Sequence, residues 1–336
     1  MRSFARPDRS PRPVLKRAIL AICLLLAGPA LADGAGCGGR DLLADMSPAA
    51  RAALVGDAPY ARGNVCQATR GPTTITVAGT YHLNDPRFDS LVPKLLPYLD
   101  GAAALLVEAG PDAERALQAD IAAHPDRIVN TTGPTLPEAL SPADWQTLSR
   151  AMALRGMPAF VAAKFQPWYV AMLLGLPPCR LQPDAANGLD QRLIAAATAR
   201  HIPVTALEPW DTAIRLFADV PWRDQIDLLR LSLASEAASA DMATTLANAY
   251  FAGEHRLIWD FSRKVALQSP GADPAAFDRM ERVMLTDRTR AWVPGLIAAA
   301  EGRQVLVAVG AAHLGGSDGL LNLLAQAGFT LRRLPF

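Results

Sequence analysis

Histidine and cysteine are scarce in this chain, and neither falls in a familiar metal-binding or redox pattern. Five histidines and four cysteines are spread over 336 residues. There is no C-x-x-C, no H-E-x-x-H and no glycine-rich phosphate loop, and the G-x-S-x-G at 315–319 starts six residues past the strand expected at 304–309 rather than at its end, so a covalent serine or cysteine mechanism has no local support. Net charge is also lacking. Lys and Arg number 33 against 32 Asp and Glu, leaving +1 at neutral pH. That removes the electrostatic case for a nucleic-acid partner. After residue 32 no apolar run approaches the roughly 20 residues that a membrane-spanning helix needs. Apolar residues at 51% and charged residues at 19% exclude a disordered chain and permit a sizeable core.

The first 32 residues have a composition of their own. Arg2, Arg6, Arg9, Arg12, Lys16 and Arg17 form a basic start, an apolar run follows over 18–27, and Ala30-Leu31-Ala32 supplies an A-x-A cleavage pattern. This is the order of a secretory signal peptide, with the mature chain beginning near Asp33. The apolar run is about half a membrane span. The expectation is export to the periplasm or the exterior, with no stable membrane span after cleavage. Cys23 leaves with the signal, and Cys37, Cys66 and Cys179 remain. An oxidising compartment permits a disulfide. Cys37 and Cys66 flank one short helical stretch and are the expected pair, leaving Cys179 free or buried.

Strands are expected at 74–78, 102–107, 204–207 and 304–309, with a further strand at 159–162. Helical patterns cover 41–54, 91–99, 113–123 and 189–199, and nearly all of 224–264. Ser141-Pro142-Ala143-Asp144 and Asp273-Pro274 are helix starts with proline at the first position, and Ser317-Asp318 is read as the cap of a helix over 319–327. Strands alternate with helices at both ends, while the middle is helical. The fold class is α/β, or α+β: a central mixed sheet flanked by helices. Residues 33–336 form one domain with a helical insertion at about 111–300.

Four apolar strands end in the same manner. The strand at 74–78 runs into Gly79-Thr80-Tyr81-His82, and the strand at 102–107 into Glu108-Ala109-Gly110. The strand at 204–207 runs into Glu208-Pro209-Trp210, and that at 304–309 into Gly310-Ala311-Ala312-His313. Ligands in α/β sheets gather at the carboxyl ends of strands. Two histidines and two glutamates can therefore converge. The repeated G-x-x-H gives Gly79 and Gly310 one role, a tight turn with close backbone approach to a ligand. The bland alternative is a pair of histidines satisfied by hydrogen bonds at strand ends. Glu108 closes an apolar strand and needs a cation or donors there. Two His and one carboxylate suit a divalent ion with open coordination positions. Glu208 reads equally as a ligand, a supporting partner or a helix-start carboxylate. Arg288 lies beside an apolar stripe and suits an anionic group or an oxyanion, or a plain helix salt bridge. Asp190 opens a helix, where a carboxylate complements the dipole. His124, His201 and His255 read as surface or helix-end residues.

At these residues the chain resembles the TraB/GumN family, which includes the TIKI proteins. Gly79-Thr80-Tyr81-His82-Leu83 resembles the family's first GTxHL motif, and Leu106-Val107-Glu108 the strand end that follows it. Gly188-Leu189-Asp190 with Ala206-Leu207-Glu208 resembles the central segment, and Val307 to Leu314 the closing VGxxHL stretch. The family usually carries Arg-Asn in the helix before the last strand, whereas here Arg288 precedes Thr289. The resemblance implies a fold shared with erythromycin-esterase-like and ChaN-like proteins. It also implies a metal-dependent hydrolase, most readily a peptidase, using manganese, cobalt or zinc. His82, Glu108 and His313 would hold the ion, with Glu208 or Asp190 completing the shell and Arg288 stabilising an anion. The substrate would be a peptide or a small molecule. A second reading keeps the cleft and drops the catalysis: a periplasmic binding protein for a small molecule, metal or haem.

Overall fold

A computed structural model describes residues 38–180, 186–218, 220–268 and 273–336. The predicted export signal and its cleavage site lie outside the described residues. At the centre is a six-stranded sheet: β1 (Val65–Arg70), β2 (Thr73–Thr80), β3 (Leu105–Val107), β4 (Val204–Ala206), β5 (Gln304–Gly310) and β6 (Thr330–Arg333). Their spatial order is β4-β3-β5-β2-β1-β6. The first four in that order run parallel, and β1 pairs antiparallel with both β2 and β6. The sheet is therefore mixed, as the alternation of strands and helices implies.

Side-chain alternation decides which layer each strand residue joins. On β5, Val305, Val307 and Val309 pack with Trp292, Leu296 and Leu320 on one face. Leu306 and Ala308 pack with Leu91, Leu95, Leu189 and Leu193 on the other. The helices Asp287–Ala300 and Leu320–Gln326 thus cover one face, and Phe88–Asp100 and Leu189–Ala199 the other. Burial on both faces explains why β3 and β5 read as unbroken apolar runs. Between β3 and β4, and again between β4 and β5, the chain is helical. Leu136, Leu148, Val170, Ile226 and Leu229 build a separate helical core there.

The differences from the sequence reading have local causes. Residues Ala159–Ala162 form a helical turn, not a strand, because this alanine-rich stretch packs among helices with no sheet edge to join. The helix Leu320–Gln326 starts at Gly319, with no side-chain cap. Ser317 turns instead to Asp318, whose carboxylate receives Arg290. Strand β1 lies in what reads as a polar segment; its hairpin to β2 turns on Gly71, at φ +56, as a two-residue loop requires. His255 is wholly buried, with its ring nitrogens 2.8 Å from Tyr60 O and 3.3 Å from Asn64 Oδ1. It is a core residue and not a surface one.

The disulfide expectation is also corrected. Cys66 is a buried free thiol on β1, facing the helix layer beside Ala68 and Leu331. Cys179 is disulfide-bonded, and its partner lies outside the described residues. Among the described residues no helix is long and apolar enough to cross a membrane.

Candidate active site

The parallel register places four strand ends along one edge of the sheet. Thr80 pairs with Gly310, and Val107 with both Ala308 and Ala206. The polar residues stand one to three positions past the strand ends: His82 after β2, Glu108 after β3, Glu208 after β4 and His313 after β5. A 3-10 turn over Ala311–His313 folds His313 back over the sheet edge.

Gly310 is the point they share. A Cβ there would lie 3.1 Å from Glu108 Oε1, 3.2 Å from His82 Nε2 and 3.6 Å from His313 Cδ2. The missing side chain therefore leaves a small cradle walled by two imidazoles and one carboxylate. Gly79 differs. Its Cβ would point at Leu314 Cδ1, at 2.5 Å, and at Ala311, so Gly79 permits packing between the two strand ends and does not line the cradle. Its carbonyl is held by the buried Tyr250 hydroxyl at 2.8 Å.

The carboxylates are held by an arginine. Arg288 Nη2 donates to Glu108 Oε2 at 2.6 Å and to Glu208 Oε1 at 2.7 Å, and its Nε donates to Glu208 Oε2 at 2.9 Å. Trp292 Nε1 also donates to Glu208 Oε2, at 3.1 Å. Glu208 is thus fully engaged as the anchor of Arg288. The other Glu108 oxygen, Oε1, accepts the Gly310 N–H at 2.6 Å and lies 4.0 Å from His313 Nε2.

Each histidine is braced through Nδ1 from a different helix layer. His82 Nδ1 is 3.4 Å from Asp190 Oδ1, at the start of Leu189–Ala199. That oxygen is buried without a hydrogen bond. His313 Nδ1 is 2.7 Å from Thr289 Oγ1, on Asp287–Ala300. The His82 loop crosses the start of its helix so closely that Gly188 has no room for a Cβ beside Tyr81 O and His82 O. Leu189 N–H donates to Tyr81 O at 3.0 Å, closing this contact.

Electrostatics separate the three groups. Burial opposes the Glu108 charge, but His313, His82, Arg288 and the Gly310 N–H outweigh it and hold the carboxyl down at about 2. Burial pushes His313 down to about 4; Arg288 and His82 add to this, against the pull of Glu108. His82 is open to solvent over 59% of its side chain but sits in a cleft walled by protein. Burial there is overcome by the adjacent Asp190 carboxylate, with Glu108, and the imidazole rises to about 9.

Among the described residues no three His, Cys, Asp or Glu side chains already stand as a formed metal centre would hold them. The donor chemistry around Gly310 nonetheless fits a small divalent ion: two imidazoles and a carboxylate oxygen border one side-chain-sized space. A cavity of about 310 Å³ borders His313 and Thr289, reaching Arg256 and Glu281.

All of these residues lie within residues 64–333, which match the sequence model of the TraB/PrgY/gumN family. The chain belongs to this family. A search of curated protein sequences returns no significant match. Within this TraB/PrgY/gumN domain His82, Glu108, Glu208 and His313 come together as the strand-end pattern implies, and Arg288 reaches them from the helix Asp287–Ala300. Asp190 joins them as a partner of His82. Thr289 stands where the resemblance expects an asparagine and Gly188 opens its G-x-D match, whereas Trp292 carries no such mark. Helix periodicity places Trp292 one turn beyond Arg288, which was the available signal. Nothing local marks the contact of Gly188 with a loop more than 100 residues earlier.

Proposed function

We propose that the protein is an exported hydrolase that attacks a carbonyl with activated water at the Gly310 cradle, most readily a metal-dependent peptidase. The carrying observation is the convergence of His82 Nε2, Glu108 Oε1 and the His313 ring on one point at the carboxyl edge of a parallel sheet. His82, Glu108 and His313 are the residues that would hold manganese, cobalt or zinc. The ion would lower the pKa of water and polarise the carbonyl. The chain's own residues supply the rest. Asp190 and Thr289 orient the two imidazoles through Nδ1, the arrangement that supports histidine ligands. Neutral His313 leaves a lone pair for use at neutral pH. Arg288, anchored by Glu208, sits beside Glu108 with a guanidinium able to donate to a developing oxyanion.

A second reading keeps the hydrolysis and drops the metal. Glu108 already has a cation at 2.6 Å in Arg288, and His313, neutral above about pH 4 and held through Nδ1 by Thr289, has the form of an oriented general base. Purified mature protein should be assayed on peptide and ester panels with added Mn²⁺, Co²⁺ or Zn²⁺ and with chelator. The metal reading expects chelation to abolish turnover, and His82→Ala and His313→Ala to abolish both metal retention and turnover in folded protein. Chelator-resistant turnover selects the general-base reading. Full turnover in both histidine variants sinks the site altogether.

A further inference from the structure

We infer that Thr289 is a positioning residue that fixes the tautomer of His313, keeping the proton on Nδ1 and turning the Nε2 lone pair to the cradle side. The Thr289 hydroxyl has one proton, and Oγ1 donates it to Leu285 O at 2.7 Å, one turn back in the chain. The same oxygen lies 2.7 Å from His313 Nδ1. With its proton committed, the oxygen accepts, so Nδ1 carries hydrogen.

The other ring nitrogen gives an independent argument. His313 Nε2 lies 3.5 Å from Arg288 Nη1, a group that donates and never accepts. A proton on Nε2 would set N–H against N–H. Glu108 Oε1 does not rescue that form, because 4.0 Å is beyond hydrogen-bond range and this oxygen takes the Gly310 N–H. Both nitrogens therefore specify one tautomer.

The helix is built to make these contacts together. A π-turn over Arg282–Thr286 precedes the Asp287–Ala300 helix. Such a wide turn shifts helical register, and π-turns recur at functional sites. Arg288 then reaches Glu108 and Glu208, while its neighbour Thr289, 1% exposed, reaches His313. The resemblance leads one to expect an asparagine at position 289. Threonine offers its oxygen on a shorter, β-branched side chain braced on Leu285. The Nε2 lone pair is the feature that either binds an ion or takes a proton; the opposite tautomer presents N–H to the cradle and does neither. That consequence rests on the proposed hydrolase, whereas the tautomer itself does not.

The test is long-range ¹H–¹⁵N correlation NMR on metal-free, histidine-labelled protein near neutral pH. Wild type should show His313 protonated on Nδ1 and bare at Nε2, and T289S should keep that signature. T289V should move population to the Nε2–H form and weaken binding of Mn²⁺ alone by roughly 10- to 100-fold. If T289V does not fold, T289A serves the same comparison. A wild-type Nε2–H signature overturns the assignment, as does an unchanged Nδ1–H population in the folded apolar variant. If the tautomers behave as expected but wild type neither retains metal nor hydrolyses any substrate, the assignment stands and the hydrolase reading falls.

Discussion

At the residue scale, the two glycines of the G-x-x-H repeats have different physical reasons. Gly310 lacks a side chain because the space belongs to Glu108 and His82. Gly79 lacks one because Leu314 and Ala311 fill it. Gly310→Ala is therefore expected to reduce turnover and metal retention at least about tenfold with a small change in melting temperature. Gly79→Ala is expected to cost about 1–3 kcal/mol of stability through overpacking. Denaturation curves and metal titrations on the same two variants separate these outcomes, and equal stability losses would remove the distinction. Titration gives a second prediction. His313 and His255 are both held down at about 4, chiefly by burial, while the unfolded imidazole titrates near 6.5. Between these values the unfolded chain binds protons that the folded chain refuses. Stability present above about pH 6.5 is thus lost as pH falls toward 4, by up to about 3 kcal/mol per group. His82 works in the opposite sense: raised to about 9, it favours the fold below pH 6.5 and ceases to as pH rises through 9. Melting curves from pH 4 to 7 should steepen toward acid, and His255→Gln should flatten that slope. An unchanged slope would contradict the burial argument for His255.

Among the elements, legibility in the sequence followed the strength of local signals. Ser141 caps the helix Pro142–Leu154 as its S-P-x-D pattern implies, accepting the Asp144 N–H at 3.1 Å. Ser141→Ala should cost about 1 kcal/mol in chemical denaturation. A loss near zero would mean that the helical insertion holds this end without its cap. Helices opened by Pro142 and Pro274 were readable, since proline and its preceding residue restrict the chain locally. Strands β1 and β6 were not. Val65–Arg70 and Thr330–Arg333 mix polar and charged residues, and they become strands by pairing with β2 and with each other. The turn at Ala159–Ala162 failed as a strand for the converse reason, having no edge to pair with. Gly188 also acts at this scale, by letting the start of Leu189–Ala199 lie against the His82 loop. Gly188→Ala should displace that loop and impair metal retention like His82→Ala, without exposing the helical core; intact metal binding would deny the contact its role.

For the molecule as a whole, the sheet has helices on both faces and a second core of helices inserted between its parallel strands. Cysteine usage belongs to this scale. The spacing of Cys37 and Cys66 suggested a pair, yet Cys66 points into the sheet–helix layer as a free thiol, and burial pushes that thiol's pKa up. Cys66 should resist thiol labelling in native protein and react once unfolded. Non-reducing peptide maps should find Cys66 unlinked and Cys179 linked, and a linked Cys66 would reverse that correction.

The sequence by itself determined the family, the α/β class and the edge of the sheet where the two histidines and two glutamates gather. Each of those depends on short-range information: an apolar run, a glycine, then a polar residue at a strand end. Only the tertiary structure decided what those residues do to one another. Arg288 stands about 180 residues from Glu108 and 80 from Glu208 along the chain, and Asp190 lies more than 100 beyond His82. No periodicity spans such distances. The pairing of β3, β5 and β2, with helices closing from both faces, brings these groups within hydrogen-bond range. Once there, burial and neighbouring charge set which imidazole stays neutral and which carboxylate stays charged.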